Sequence, residues 1–211
     1  MADLETPEDP LPDDEAARHR EKMRKRKVVQ DARVAQATRE KGLLMVHTGP
    51  GKGKTTAALG MMLRTAGYGL RVGFVQFVKG NWATGEQTAL KRFSDLIDHH
   101  VMGEGFTWDT QDKERDIAAA VRAWDLGRRM LADPRYHLVV LDEINIVLRY
   151  GYLDVAAVLA GLNARLSDTH VLLTGRNAKA EVIEAADLVT EFQAVKHPFQ
   201  AGIKAQRGID F

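Results

Sequence analysis

The chain has 211 residues, is 45% hydrophobic and 28% charged, carries a formal net charge of +1 and contains no cysteine. That size and balance suit one α/β domain with an appendage; they exclude disulfides, thiolate metal sites and a cysteine nucleophile, and give no electrostatic case for bulk nucleic-acid binding. No apolar run approaches the ~18 residues of a membrane span and the acidic N-terminus is no signal peptide, so a soluble cytoplasmic protein is expected.

Residues 1–15 carry seven acids, three prolines and no base, which reads as a disordered leader. Seven bases then crowd between Arg18 and Lys27, inside a stretch (16–41) without Gly or Pro that favours helix. Its apolar positions are sparse: Met23, Val28, Val29 and Val34. The stretch reads as a solvated helix, as a nucleic-acid-binding arm, or as a mobile basic lid that folds over a polyanionic ligand or onto a partner subunit.

Residues 43–60 hold the strongest local signal, LLMVHTGPGKGKTTAALG. An apolar run enters a glycine-rich turn, then Lys-Thr-Thr, then an alanine-rich helical pattern. Backbone N–H groups of such a loop, with the helix N-terminus behind them, cradle phosphate oxygens. Gly49, Pro50, Gly51, Lys52, Gly53, Lys54, Thr55 and Thr56 form this candidate nucleotide site. Lys54 is placed to reach the outer phosphates and Thr55 to offer its hydroxyl to Mg²⁺. The loop departs from G-x-x-x-x-G-K-[ST]: Thr48 replaces the first glycine, and Pro50 has no N–H to give. The triphosphate is therefore expected to sit differently from that of an ordinary ATPase.

Alternating strands and helices follow, the pattern of a parallel sheet covered on both faces. Helix is predicted over 55–66, 85–93, 112–131 and 154–165. Strands are predicted over 71–78, 98–102, 137–141, 169–174 and 188–192. Ligands of such sheets bind beyond the carboxyl ends of the strands, so the loops after Val46, Val78, Met102, Leu141 and Thr174 should surround one site. Asp142 and Glu143 end the strand HLVVLDE there; either they partner a Thr55-bound magnesium, or they cap a helix N-terminus. In the loop 103–110, Phe106 and Trp108 stand two residues apart, either as a lid on the core or as a platform for a large flat ligand.

The ordered set TGPGKGKTTAALG, VQFVKGNW, GFTWDT, VVLDE, LLTGR and VKHPFQAGIKAQRGIDF resembles the P-loop ATP:corrinoid adenosyltransferases of the bacterial cobalamin pathway. The resemblance runs from about His19 to Phe211 and leaves residues 1–15 outside. It implies a RecA-like P-loop fold, a homodimer, ATP with Mg²⁺, and transfer of the 5′-deoxyadenosyl group of ATP to a corrinoid Co(I), releasing triphosphate. A reduced flavoprotein is the implied electron donor. Family members often carry Asn where this chain has Pro50, so no side-chain amide is offered to the triphosphate there.

Cobalt in the one-valent state is itself the nucleophile, so the protein must orient ATP and stabilise charge on the leaving triphosphate. Lys54, the loop amides and magnesium (with Thr55, Asp142 and Glu143) suit that task, and Lys52 and Arg176 add to it. The resemblance gives Phe106 and Trp108 the lower face of the corrinoid, where they exclude an axial ligand and ease reduction to Co(I). His99 and His100 read as ordinary strand residues. Two rivals use the same loop: a P-loop hydrolase or kinase giving ADP, and a RecA-like nucleic-acid-binding ATPase. Product identity separates them.

Overall fold

The computed structural model describes residues 13–78, 84–103 and 112–210. Contacts divide the chain into two units, residues 1–40 and 41–211.

The first unit contains one helix, α1 (Asp13–Gln36). It starts three residues inside the stretch expected to be disordered, with acidic residues in its first turn where the helix dipole favours them. It ends at Gln36, five residues short of the predicted boundary. Val28, Val29 and Val34 are all exposed, and Glu21 and Asp31 pair with Arg24 and Lys27 at spacings of three and four residues.

The second unit is an all-parallel sheet of six strands. In chain order they are β1 (Leu44–Thr48), β2 (Arg71–Gln76), β3 (Ile97–Val101), β4 (Tyr136–Asp142), β5 (His170–Thr174) and β6 (Leu188–Glu191). Their spatial order is β3-β2-β4-β5-β1-β6. The intervening helices are α2 (Lys54–Gly67), α3 (Gly85–Leu90), α4 (Lys113–Leu131), α5 (Ile144–Arg149), α6 (Val155–Asn163) and α7 (Ala180–Ala185). This is the parallel α/β sheet with intervening helices that was expected, preceded by the N-terminal helix.

The buried strands alternate side chains between two cores. Leu44, Val46, Val139, Leu141, Val171 and Leu173 pack on one face with Trp124 and Leu162, while Met45, Phe74, Val140 and Leu172 pack on the other with Ala58 and Met62 of α2. Asp112 caps α4 by accepting from the Arg115 N–H (3.1 Å), and Asp154 caps α6 by accepting from the Ala157 N–H (2.7 Å). Those caps explain why the two helices begin one residue after the predicted starts. The short helices α5 and α7 were not predicted; at six residues each they are too brief to show a helical period.

β4 and β1 are not neighbours: β5 lies between them. The acidic strand end and the phosphate loop therefore meet only through side chains that reach across the end of β5.

Candidate active site

The phosphate loop is a compact turn held from two sides. Gly49 (φ 93°) and Gly53 (φ 104°) both take left-handed backbone. Gly49 has a second reason to be glycine, since a Cβ there would meet the Phe192 carbonyl at 2.5 Å. Gly51 donates its N–H to that same carbonyl (2.6 Å). With Pro50 lacking an N–H, two successive loop positions have no free amide for phosphate. The N–H groups at the start of α2 have no intrahelical acceptor.

Lys54 is buried and its Nζ donates to the carbonyls of Gly49 (2.8 Å) and Gly51 (2.6 Å). Burial pulls its pKa below the usual lysine value, Glu143 raises it, and Arg176 lowers it again. The Nζ also lies 6.0 Å from the centre of the Phe192 ring, which meets His47 edge-on. Lys52 is exposed and pairs with Asp210, so the C-terminal segment returns to the phosphate loop. Thr56 and Arg176 are exposed at the same end of the sheet.

Asp142 is 2% exposed and joins the two halves of the site. Its Oδ1 accepts from the Thr55 hydroxyl (2.9 Å) and from the Thr174 hydroxyl at the end of β5 (2.7 Å). Its Oδ2 accepts from Gln76 Nε2 (3.0 Å), and the Gln76 carbonyl in turn meets His99 Nε2 (2.8 Å). Thr174 fills the gap between loop and acidic strand, and its oxygen also accepts the Glu143 N–H (2.9 Å).

Glu143 occupies the position preceding α5 with left-handed backbone (φ 62°), yet its side chain caps nothing. The capping alternative is therefore excluded for both carboxylates. Among the described residues its Oε2 is buried without a hydrogen-bond partner, as is Asn145 Oδ1. Burial first, then the adjacent Asp142, pushes Glu143 up to about 7, against the pull of Lys54 and Arg176. A residue strained in backbone and orphaned in side chain points to a ligand.

Thr55, Asp142, Glu143 and Lys54 thus converge, as expected. Phe106 and Trp108 lie outside the described residues, as does most of the loop after Val78. His99 does lie on β3, but hydrogen bonded to Gln76 and stacked on Phe74 (4.8 Å between ring centres) it is more than an ordinary strand residue. Gln76, Thr174 and Phe192 escaped the sequence reading. A glutamine ending an otherwise apolar strand (RVGFVQ) was the available signal for the first; nothing local marked the other two.

A glycine-rich loop opening a helix, with a buried carboxylate bonded to the loop's threonine, defines a P-loop nucleotide-binding protein. Sequence comparison goes further. The chain belongs to the ATP:corrinoid adenosyltransferase family BtuR/CobO/CobP, matched over residues 40–211. Residues 6–34 match the family's separate cob(I)alamin adenosyltransferase N-terminal module, so the likeness extends into the acidic leader that the sequence reading left outside. Among curated relatives, a corrinoid adenosyltransferase of Pseudomonas aeruginosa is 54% identical over 194 residues, 92% of this chain and 96% of that one. One from Sinorhizobium is 51% identical, covering 92% of each chain. The corrinoid adenosyltransferase CobA of Salmonella typhimurium is 47% identical over 92% of this chain and 98% of its own.

Proposed function

We propose that this chain carries out its family's reaction, moving the 5′-deoxyadenosyl group of ATP to a corrinoid Co(I), at the carboxyl end of β1, β4 and β5. The observation that carries the reading is the Thr55–Asp142 hydrogen bond at 2.9 Å, which ties the phosphate loop to the acidic strand. In the reaction a cobalt–carbon bond forms at the ribose 5′ carbon while the carbon–oxygen bond to triphosphate breaks. The leaving group takes the electron pair, so the protein's main contribution is preorganised positive charge.

Lys54 supplies the largest share. It exchanges two loop carbonyls for phosphate oxygens, which strengthens its bonds because both partners are then charged. Lys52 and Arg176 border the same loop and steady the outer oxygens, and the first-turn amides of α2 complete the cradle.

The residues fit a magnesium ion. Among the described residues no three His, Asp or Glu side chains converge as a ready-made metal cage. Magnesium at a nucleotide site draws most of its ligands from phosphate and water and only one or two from protein. Thr55, Asp142 and the orphaned Glu143 oxygen would hold it, directly or through water. When bound, it would neutralise charge on the triphosphate.

Phe106 and Trp108 form the apolar lower face of the corrinoid and act at reduction from Co(II), a reduced flavoprotein supplies the electron, and the enzyme works as a cytoplasmic homodimer. The basic helix serves as a lid over the bound substrates. The aromatic face, the electron donor and the homodimer rest on the family resemblance; the lid rests on the run of bases in a weakly amphipathic helix, and the location on the sequence's hydropathy.

The test supplies chemically generated Co(I) corrinoid with ATP and magnesium, and follows triphosphate and adenosylcorrinoid together. Equal yields of both are expected. ADP in place of triphosphate would overturn the reading in favour of a hydrolase or kinase. For the aromatics, Trp108→Ala should impair the assay started from Co(II) far more than the one supplied with Co(I).

A further inference from the structure

Gln76 is an amide at the end of a buried strand, 3% exposed, with Val101 of β3 and Asp142 of β4 as its registered neighbours. The amide presents its NH₂ to Asp142 Oδ2, at 3.0 Å. Its carbonyl then faces β3, where it meets His99 Nε2 at 2.8 Å. A carbonyl only accepts, so that nitrogen must carry the hydrogen. The direction of these two bonds is thereby fixed: His99 donates to Gln76, and Gln76 donates to Asp142.

The row crosses three adjacent strands and ends on the carboxylate that faces the Thr55 hydroxyl. The His99 ring is itself held, lying nearly parallel to Phe74 (18° between planes), its register partner on β2. On its other oxygen Asp142 receives the Thr55 and Thr174 hydroxyls. No lysine or arginine is among these partners. Both oxygens of the carboxylate are thereby pinned in direction, which is what an outer partner of a cation site requires.

We propose that Gln76 and His99 are positioning residues for Asp142, setting the orientation in which it supports Mg²⁺·ATP at Thr55. The inference rests on the magnesium role given to Asp142 above. Outer partners of metal-site carboxylates typically change metal affinity by ~10–100-fold when removed. Two bonds away from the carboxylate, His99 should sit at the lower end of that range.

The experiment measures equilibrium binding of ATP to the full chain, without corrinoid, across a series of Mg²⁺ concentrations and in chelator. His99→Phe keeps the flat ring on Phe74 but loses the donor. It should raise the Mg²⁺ midpoint about tenfold while leaving ATP binding in chelator as in the parent. Gln76→Leu, which removes the direct bond, should shift the midpoint at least as far, and the double variant should add little to Gln76→Leu alone, because the two residues form one row. His99→Gln restores an N–H at similar reach and should recover most of the shift, an outcome that loss of packing would not produce. If His99→Phe fails to fold, His99→Met at the same position, able to pack but not to donate, takes its place. Asp142→Asn separates the two levels. If it shifts the midpoint and neither His99→Phe nor Gln76→Leu does, the positioning role is wrong. If Asp142→Asn itself leaves the midpoint unmoved, the magnesium role of Asp142 fails and this inference with it.

Discussion

The carboxyl end of the sheet and the N-terminal helix are built on opposite terms. At the sheet end, side chains from α2, β2, β4 and β5 hold one another: Asp142 alone receives bonds from Thr55, Gln76 and Thr174. Each backbone position there is set by strands whose registers are fixed through two buried cores. In α1 the bonds run instead between neighbours on one helix face, such as Arg24 with Glu21 and Lys27 with Asp31, and its valines are exposed. Such pairs contribute a few tenths of a kcal/mol each. The contrast separates a preorganised site, where one atom removed should cost rate, from a segment whose shape depends on local propensity and whose role must come from what it meets.

The sharpest break of that comparison is Lys54→Ala. Lys54 sits at the centre of the preorganised loop, and loss of one such donor costs roughly 2.7–4 kcal/mol, about a hundred- to a thousandfold in turnover. Circular dichroism should show the fold retained. Turnover above a tenth of the parent would remove Lys54 from its central role.

Preorganisation also has a stability cost, visible in pH. Glu143 ionises near 4.5 in the unfolded chain and at about 7 in the folded one, chiefly through burial. Below 4.5 both states hold the proton. As pH rises from there to about 7 the unfolded chain releases it first, so folded stability falls across that window. At about 1.4 kcal/mol per unit the loss approaches about 3 kcal/mol. Denaturant unfolding without ATP and in chelator should show the decline between pH 5 and 7.5, and Glu143→Gln should flatten it. An unchanged slope in that variant would assign the pH dependence elsewhere.

How much of this was legible in sequence follows the same division. The phosphate loop, Lys54, Thr55 and the two carboxylates could be read because each sits in a contiguous segment whose chemistry is local. Strand order could not. Nothing in HLVVLDE says that β5 separates it from β1, so Thr174 was invisible as the bridge. Phe192 was missed for a related reason: its backbone carbonyl, not its side chain, holds Gly51. His99 looked ordinary because it reaches the carboxylate only through Gln76, from a strand two spacings away. The start of α1 at Asp13 lies inside the acidic stretch because acids suit the first turn of a helix as well as a disordered leader, and composition alone does not separate the two.

A smaller effect should appear beneath the site, where packing without chemistry holds the sheet's flanking layer. A Cβ on Gly161 of α6 would lie 2.5 Å from the Trp124 ring of α4. Gly161→Ala should therefore overpack that contact and destabilise the fold by about 1–3 kcal/mol. Turnover per folded molecule should stay at the parent value, since neither residue reaches the phosphate loop. A large fall in turnover at full folding would mean that the α4–α6 layer shapes the site as well as supporting it.

The smallest stability effect belongs to α1, and it is the most telling for the comparison. Deleting residues 1–36 removes exposed valines and solvent-facing ion pairs. Exposed pairs contribute about 0–1 kcal/mol at most, and among the described residues neither buried apolar cluster includes a residue of the helix. The unfolding midpoint of the remaining chain should therefore move by no more than about 0.5 kcal/mol. Catalysis should respond differently. A basic helix whose valines are exposed can order on a polyanionic ligand and exclude water from it. The corrinoid KM should rise in the truncated chain, and hydrogen exchange across residues 16–36 of the full chain should slow when ATP and corrinoid are both present. If KM is unchanged and exchange is equally fast with and without ligands, the helix is a solvated appendage, and the preorganised end of the sheet works alone.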